Sequence, residues 1–224
     1  MELPDGVYGF PQTVTRNGTE NTIHPAAVST GKGLVLLDAG YASETDRLET
    51  NLTEAGFDWD DVSGIVLTHQ DGDHAGATAA VVERTDATVF AHERAASFID
   101  GRDHPIKAPE DERYPSATVD IELVEGVTFR TDAGPMDVIF TPGHAPGHLS
   151  LFFRDPGLLI AADALTADAD GLAGPSERFT LDMSQALDSA ERLASRAVRQ
   201  VLCYHGGLVA ADAADIQAVV DERR

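Results

Sequence analysis

The sequence predicts an α/β fold with its sheets inside and its helices outside. Three observations carry that prediction. The first half alternates short aliphatic runs with helical patterns, the second half is a succession of strand-like runs, and an apolar content of 42% is spread over all 224 residues. A chain of this length can bury one sizeable core, so a single domain over residues 1–224 is expected rather than two small ones. No internal repeat or low-complexity tract is visible.

The elements follow in order. Ala26 to Thr30 and Gly33 to Asp38 are two strands about the turn Gly31-Lys32-Gly33, and a helix opens at Ser43 with Glu44 and Asp46 in its first turn. Gly64 to Thr68 is a short apolar strand, Gly76 to Arg84 a helix, Thr88 to Ala91 a strand and Glu93 to Ile99 a short helix. The second half runs Ile121 to Val124, Val127 to Arg130, Asp137 to Thr141, Leu149 to Arg154 and Leu158 to Ala162 as strands with turns between them. A helix over about Met183 to Arg196, a strand at Gln200 to Cys203 and a last helix over about Ala211 to Asp221 complete the chain. Two polar, turn-rich segments remain as loops, Gly101 to Thr118 and Thr166 to Phe179, and these are candidate pocket walls.

Charge narrows the function. The 38 acidic and 16 basic residues leave a net charge of −22, and Lys32 and Lys107 are the only lysines. Such a field repels phosphate backbones and anionic lipid, which argues against nucleic-acid and membrane partners. An acidic, lysine-poor surface over an ordinary apolar content is expected of a protein kept soluble in concentrated salt, so a halophilic setting is expected. No apolar run approaches the roughly 18 residues that cross a bilayer, and the start Met1-Glu2-Leu3-Pro4-Asp5-Gly6 lacks the basic and apolar regions of a leader, so a cytoplasmic location is expected. With Cys203 as the only cysteine, a metal site must draw on His, Asp or Glu. Oligomeric state is not legible, because a dimer face and a core stripe look alike in one sequence.

The chemistry concentrates in His69-Gln70-Asp71-Gly72-Asp73-His74, directly after a strand. His69, Asp71, Asp73 and His74 are too tightly spaced for all four to face one ion, and two ions a few ångströms apart suit them better. Further candidates stand just past strand ends: His144 in Thr141-Pro142-Gly143-His144, Asp163 after Leu158 to Ala162, and His205 after Val201 to Tyr204. Any one of these alone reads most simply as a satisfied turn residue; together they complete a site.

These motifs resemble the metallo-β-lactamase superfamily. The cluster is similar to its His-x-His-x-Asp-His pattern, with Asp71 where the second His usually stands. Leu37-Asp38-Ala39-Gly40, Thr141-Pro142-Gly143-His144, Ala162-Asp163 and His205-Gly206 match its other motifs in order, from about Val28 to Gly207. The resemblance implies a four-layer αβ/βα sandwich with a metal pair between two sheet edges. It implies that His69, Asp71 and His144 hold the first metal, that Asp73, His74 and His205 hold the second, and that Asp163 bridges them. Asp38 would orient a ligand His through a hydrogen bond. Asp73 would help move the proton, and a hydroxide bridging the metals would be the nucleophile. His148 reads as structural, and His24, His92 and His104 match no motif.

Asp71 has a consequence for the metal. With three carboxylates and a hydroxide the ligands cancel the charge of two divalent ions, which hardens the donor set and draws preference toward Mn or Fe. Zinc stays the first expectation, and the same exchange could leave a site that keeps one metal. The resemblance points to a small-molecule substrate, an ester, lactone or thioester. With so little sequence after His205, the C-terminal helical domain of glyoxalase II enzymes is not expected, and no nuclease-type insertion is visible. Two other readings stay open: a mononuclear iron oxygenase like the persulfide dioxygenases, and a non-catalytic binding protein on the same fold. Bound-metal count separates the first from a dinuclear hydrolase, and lost ligands would mark the second.

Overall fold

A computed structural model describes residues 2–16 and 18–224; Met1, part of the start read above as lacking a leader, and Asn17 lie outside them. The first half comprises β1 (Val7–Gly9), β2 (Gln12–Arg16), β3 (Thr19–Ile23), β4 (Ala26–Thr30), β5 (Gly33–Leu37), α1 (Thr45–Glu54), β6 (Val62–Leu67), α2 (Gly72–Ala75), α3 (Thr78–Thr85), β7 (Thr88–His92), α4 (Glu93–Ile99) and β8 (Ile121–Leu123). The second comprises β9 (Thr128–Thr131), β10 (Gly134–Phe140), β11 (Leu149–Phe153), β12 (Leu158–Ala162), β13 (Thr166–Asp168), β14 (Gly171–Ala173), α5 (Met183–Leu193), β15 (Gln200–Cys203), β16 (Gly207–Val209) and α6 (Ala213–Arg223).

Two six-stranded sheets result, ordered β1-β4-β5-β6-β7-β8 and β16-β15-β12-β11-β10-β9. In the first, β5 through β8 run parallel, with helices filling the crossovers between β5, β6 and β7 and before β8; in the second only β12 and β15 are parallel, and α5 is their crossover. Strand periodicity sorts the core into three slabs. On β5, Leu34 and Leu36 face Leu48 and Leu52 of α1, while Val35 and Leu37 join Val138, Leu151 and Leu202 in the slab between the sheets. On the far side Leu159 and Val201 meet Leu193, Ile216 and Val220 of α5 and α6. Helix, sheet, sheet, helix is thus the layer order, as the resemblance implied.

The expected elements are present with shifted ends, except β4, α4, β12 and β15, which keep the expected bounds. Three expectations need correction. The helix expected over Gly76 to Arg84 starts two residues later, as α3, and a separate helical turn, α2, lies before it, opening within the His69–His74 cluster. His74 gives its carbonyl to the amides of Ala39 (2.8 Å) and Gly40 (3.1 Å), Ala77 donates to the Gly40 carbonyl (3.0 Å), and a Cβ at Gly76 would meet the Gly40–Ala42 backbone. The loop after β5 therefore takes the bonds that a continuous helix would need. The helix expected from Ser43 begins as a short 3-10 turn, Ala42–Glu44, before α1. The segment Thr166 to Phe179 contains the hairpin β13–β14, whose Thr166 hydroxyl also donates to the Gly174 carbonyl at 2.9 Å.

Candidate metal centre

The site lies where strand ends of both sheets meet. Asp38, immediately after β5, is held at a left-handed φ of 64° and is buried. Its carboxylate accepts the Thr68 amide on Oδ1 (2.7 Å) and both the Thr68 hydroxyl and the His74 Nδ1–H on Oδ2 (2.8 Å each). Because the Thr68 hydroxyl donates to Asp38, its oxygen is left to accept from His69 Nδ1 at 3.2 Å. Both rings are thereby fixed with Nδ1 as donor, and both turn Nε2 inward.

Those inward atoms have no hydrogen-bond partner. His69 Nε2, His74 Nε2 and Asp163 Oδ1 are buried and unsatisfied among the described residues. An orphaned buried polar atom costs about 1–3 kcal/mol, so three in one place mark a site built for a further occupant. Donor atoms within 4.8 Å of one another form three overlapping groups: His69, Asp71 and His144; His69, His74 and Asp163; Asp73, His74 and His205. Asp163 Oδ2 is 3.2 Å from His144 Nε2 and 3.7 Å from His205 Nε2, and its Oδ1 is 3.4 Å from His74 Nε2. It is the carboxylate common to both ends. On one side His69 Nε2 and His144 Nε2 lie 3.3 and 3.1 Å from Asp71 Oδ2; on the other His205 Nε2 lies 3.3 Å from Asp73 Oδ2. A set of imidazoles and carboxylates at these separations fits borderline divalent cations.

The field inside the cluster is strongly polarised. Burial opposes charge on Asp163, but His74 and His144 outweigh it and hold the carboxyl well below the usual range. Burial likewise opposes charge on Asp71, which His69, His144 and Lys107 offset. Burial and the neighbouring His74 lower His69 to about 4, so its ring is neutral near pH 7. His74 moves the other way: burial disfavours its cation, but Asp38, Asp163 and Asp73 prevail and raise it well above the ordinary imidazole value.

All seven residues expected as ligands from the sequence come together here. His24, His92 and His104 do not: they bond the Tyr204 carbonyl, cap α4 through Arg94, and bond the Pro109 carbonyl. Three further neighbours were not among the residues expected at the site. Tyr204 stacks on His74 with ring centroids 3.6 Å apart and donates its hydroxyl to the Asp73 carbonyl at 2.5 Å. His148, read as structural, accepts the Asp163 amide on Nε2 at 3.1 Å. Lys107, in the loop 101–118, places Nζ 2.7 Å from Asp71 Oδ2 and 2.6 Å from His144 Nε2. The signal that could have found it was the scarcity of lysine in this chain. The cluster opens on a cleft of about 1330 Å³ walled by segments that include Lys107, Tyr114, Arg178 and Phe179, so both candidate loops do reach it.

Comparison with known proteins agrees with this architecture. A model of the Metallo-beta-lactamase superfamily matches residues 25–205. A probable metallo-hydrolase of Bacillus subtilis, YflN, is 29% identical over 231 residues, covering 92% of this chain and 86% of its own. A hydroxyacylglutathione hydrolase of Rhizobium meliloti is 34% identical over 103 residues, which is 46% of this chain and 34% of that protein. Among solved structures, a metallo-beta-lactamase family protein from Thermus thermophilus superposes with a TM-score of 0.74 at 24% identity, covering 97% of this chain and 78% of that one. No helix among the described residues is long and apolar enough to cross a membrane.

Proposed function

Because the chain belongs to the metallo-beta-lactamase superfamily, we propose that it is a dinuclear metal-dependent hydrolase of a small ester, lactone or thioester. One observation carries the reading: three donor groups overlap through His69, His74 and Asp163, with inward nitrogens and a carboxylate oxygen that no protein group satisfies. His69, Asp71 and His144 would hold one ion, Asp73, His74 and His205 the other, and Asp163 would serve both. Zinc is the first candidate, with Mn or Fe admitted by the carboxylate at Asp71. The similarity of one segment to a hydroxyacylglutathione hydrolase supports an acyl substrate.

Bound ions would supply Lewis acidity, lowering the pKa of a water and polarising the substrate carbonyl. The protein's own groups supply orientation and proton handling. Asp38 keeps Nδ1 of His74 protonated and thus keeps Nε2 turned inward. Tyr204 pins the Asp73 backbone, which leaves the Asp73 carboxylate beside His205 at the mouth of the cleft. From there Asp73 accepts the proton of the attacking water and returns it to the leaving oxygen or sulfur as the acyl bond breaks. Neither a serine nor the cysteine is required, and Cys203 is buried with its thiol pKa pushed up by that burial.

The test pairs elemental analysis of the purified protein with hydrolysis of a panel of aryl esters, lactones and thioesters. Two ions per chain, with hydrolysis abolished in Asp163→Ala, is the expected result. One iron per chain with no hydrolysis would replace this reading with the mononuclear oxygenase.

A further inference from the structure

We propose that Lys107 is a specificity-determining residue of this cleft, one that receives an anionic group of the substrate, a carboxylate, beside the Asp71 end of the donor cluster. The proposal rests on the hydrolase reading above and names a substrate class within it.

Lys107 is held in place by a built scaffold. Its loop is tied down by Arg113, which donates to the carbonyls of Phe98 (2.7 Å), Ile99 (3.3 Å) and Asp103 (2.9 Å), and by Tyr114, whose hydroxyl donates to the Gln70 carbonyl at 2.7 Å. The Tyr114 bond fastens the loop to the segment that carries Asp71. The Lys107 side chain is 19% exposed, and it lines the cleft. Lys32, the other lysine, sits in the exposed turn between β4 and β5.

Hydrogen-bond chemistry then decides where the ammonium points. It has three N–H donors, and two of them go to Asp71 Oδ2 and His144 Nε2. The nitrogen His144 Nε2 has a single in-plane lone pair, so it can accept from Lys107 or bind a cation, and never both. In the working site Lys107 therefore keeps Asp71 and has two donors to turn to the cleft. A carboxylate is the acceptor that uses both, with charge assistance.

Charge makes the position selective. The cleft wall carries Glu20, Asp111 and Glu112, and the chain as a whole is strongly acidic. Arg113 spends its guanidinium on backbone carbonyls, and Arg178 lies over the Phe179 ring, 5.1 Å from its centroid. An anionic group is thus repelled by most of the rim and drawn to the Lys107 end, which orients a substrate whose scissile carbonyl lies at the donor cluster. Lys107 also returns the unit of positive charge that an aspartate at position 71 removes.

The experiment compares the phenyl thioester of succinate with that of its neutral methyl half-ester, as the ratio of kcat/KM values, in the wild type, Lys107→Met and Lys107→Arg. Metal content is measured for each protein. The expected result is a ratio that falls at least tenfold in Lys107→Met, stays within threefold in Lys107→Arg, and declines with added salt in the wild type. A ratio unchanged in Lys107→Met overturns the proposal. Calorimetric binding of succinate to the zinc-loaded proteins is read in parallel, with at least tenfold weaker binding expected in Lys107→Met. If the wild type hydrolyses neither thioester, the hydrolase reading fails, and the succinate comparison alone upholds or overturns the role of Lys107.

Discussion

Replacing His148 by leucine tests how the Asp163 carboxylate is held. Asp163 follows Ala162, a non-glycine residue in the left-handed region at φ 49°. The turn is gripped from both sides: the Asp163 amide donates to His148 Nε2 at 3.1 Å, and the Ala161 carbonyl accepts the Ser150 hydroxyl at 3.0 Å. Since Ser150 donates to Ala161, the Thr141 hydroxyl must donate to Ser150 (3.1 Å), and His148 Nδ1–H must donate to Thr141 (2.8 Å). His148 is therefore neutral and in one tautomer; burial, with the fields of His69 and His144, holds its pKa well below the usual value. Leucine leaves the buried Asp163 amide without an acceptor, a cost of about 1–3 kcal/mol. That cost corresponds to a fall in Tm of roughly 2–12 °C for a chain of this size. Thermal unfolding of metal-depleted protein reads this without contributions from bound ions. His148→Gln, which can still accept and donate, should recover at least half of the loss. Equal Tm values for the two variants, or a leucine variant within about 2 °C of wild type, would refute the hydrogen-bonded grip.

Two further expectations follow from the packing around the site. Gly143 and Gly126 both have positive φ, 131° and 91°, but a Cβ on Gly143 would collide with the Ala186 backbone at the start of α5, whereas Gly126 has open space. Gly126→Ala should cost about 1 kcal/mol in thermal unfolding, and Gly143→Ala distinctly more with reduced metal retention through displaced His144; equal costs would show that the collision relaxes freely. On β10, Asp137 accepts from Arg154 (2.7 and 2.6 Å) and Thr128 (2.8 Å), and although burial opposes its charge these bonds hold its pKa below the ordinary range. A depressed folded-state value means stability that is present above about pH 4 and lost as pH falls through the folded-state value. The stability gap between wild type and Asp137→Asn should therefore narrow between pH 6 and pH 3, and a gap constant with pH would contradict the pairing.

The legible part of the fold was the part with aliphatic runs. Leu158 to Ala162 is buried at every position, and β12 coincides with the run. By contrast Thr19–Ile23 is mostly polar and exposed, so β3 and its partner β2 carry no hydrophobic period, and their hairpin rests on backbone pairing, the Thr13–Thr22 hydroxyl bond (2.9 Å) and the packing of Ile23 and Val14 with Tyr41 and Tyr204. The split between α2 and α3 was illegible because its cause, the backbone after β5, lies more than thirty residues away in the chain. The seven candidate ligands were legible because their residue types and strand-end positions are local properties. Lys107 was not, since a lysine in a polar loop has no meaning until the fold sets it against Asp71 and His144. The same holds for Tyr204, whose role depends on stacking over a ring from the other sheet.

The seven donors divide between the halves of the molecule: His69, Asp71, Asp73 and His74 follow β6 of one sheet, and His144, Asp163 and His205 follow strands of the other. Neither half holds a complete set. A cation seated among them would act as a rivet through the seam, joining two layers that otherwise meet through apolar contact and a few bonds such as Leu149 N–H to the Thr68 carbonyl. Loading the centre and locking the two layers in register are then one event.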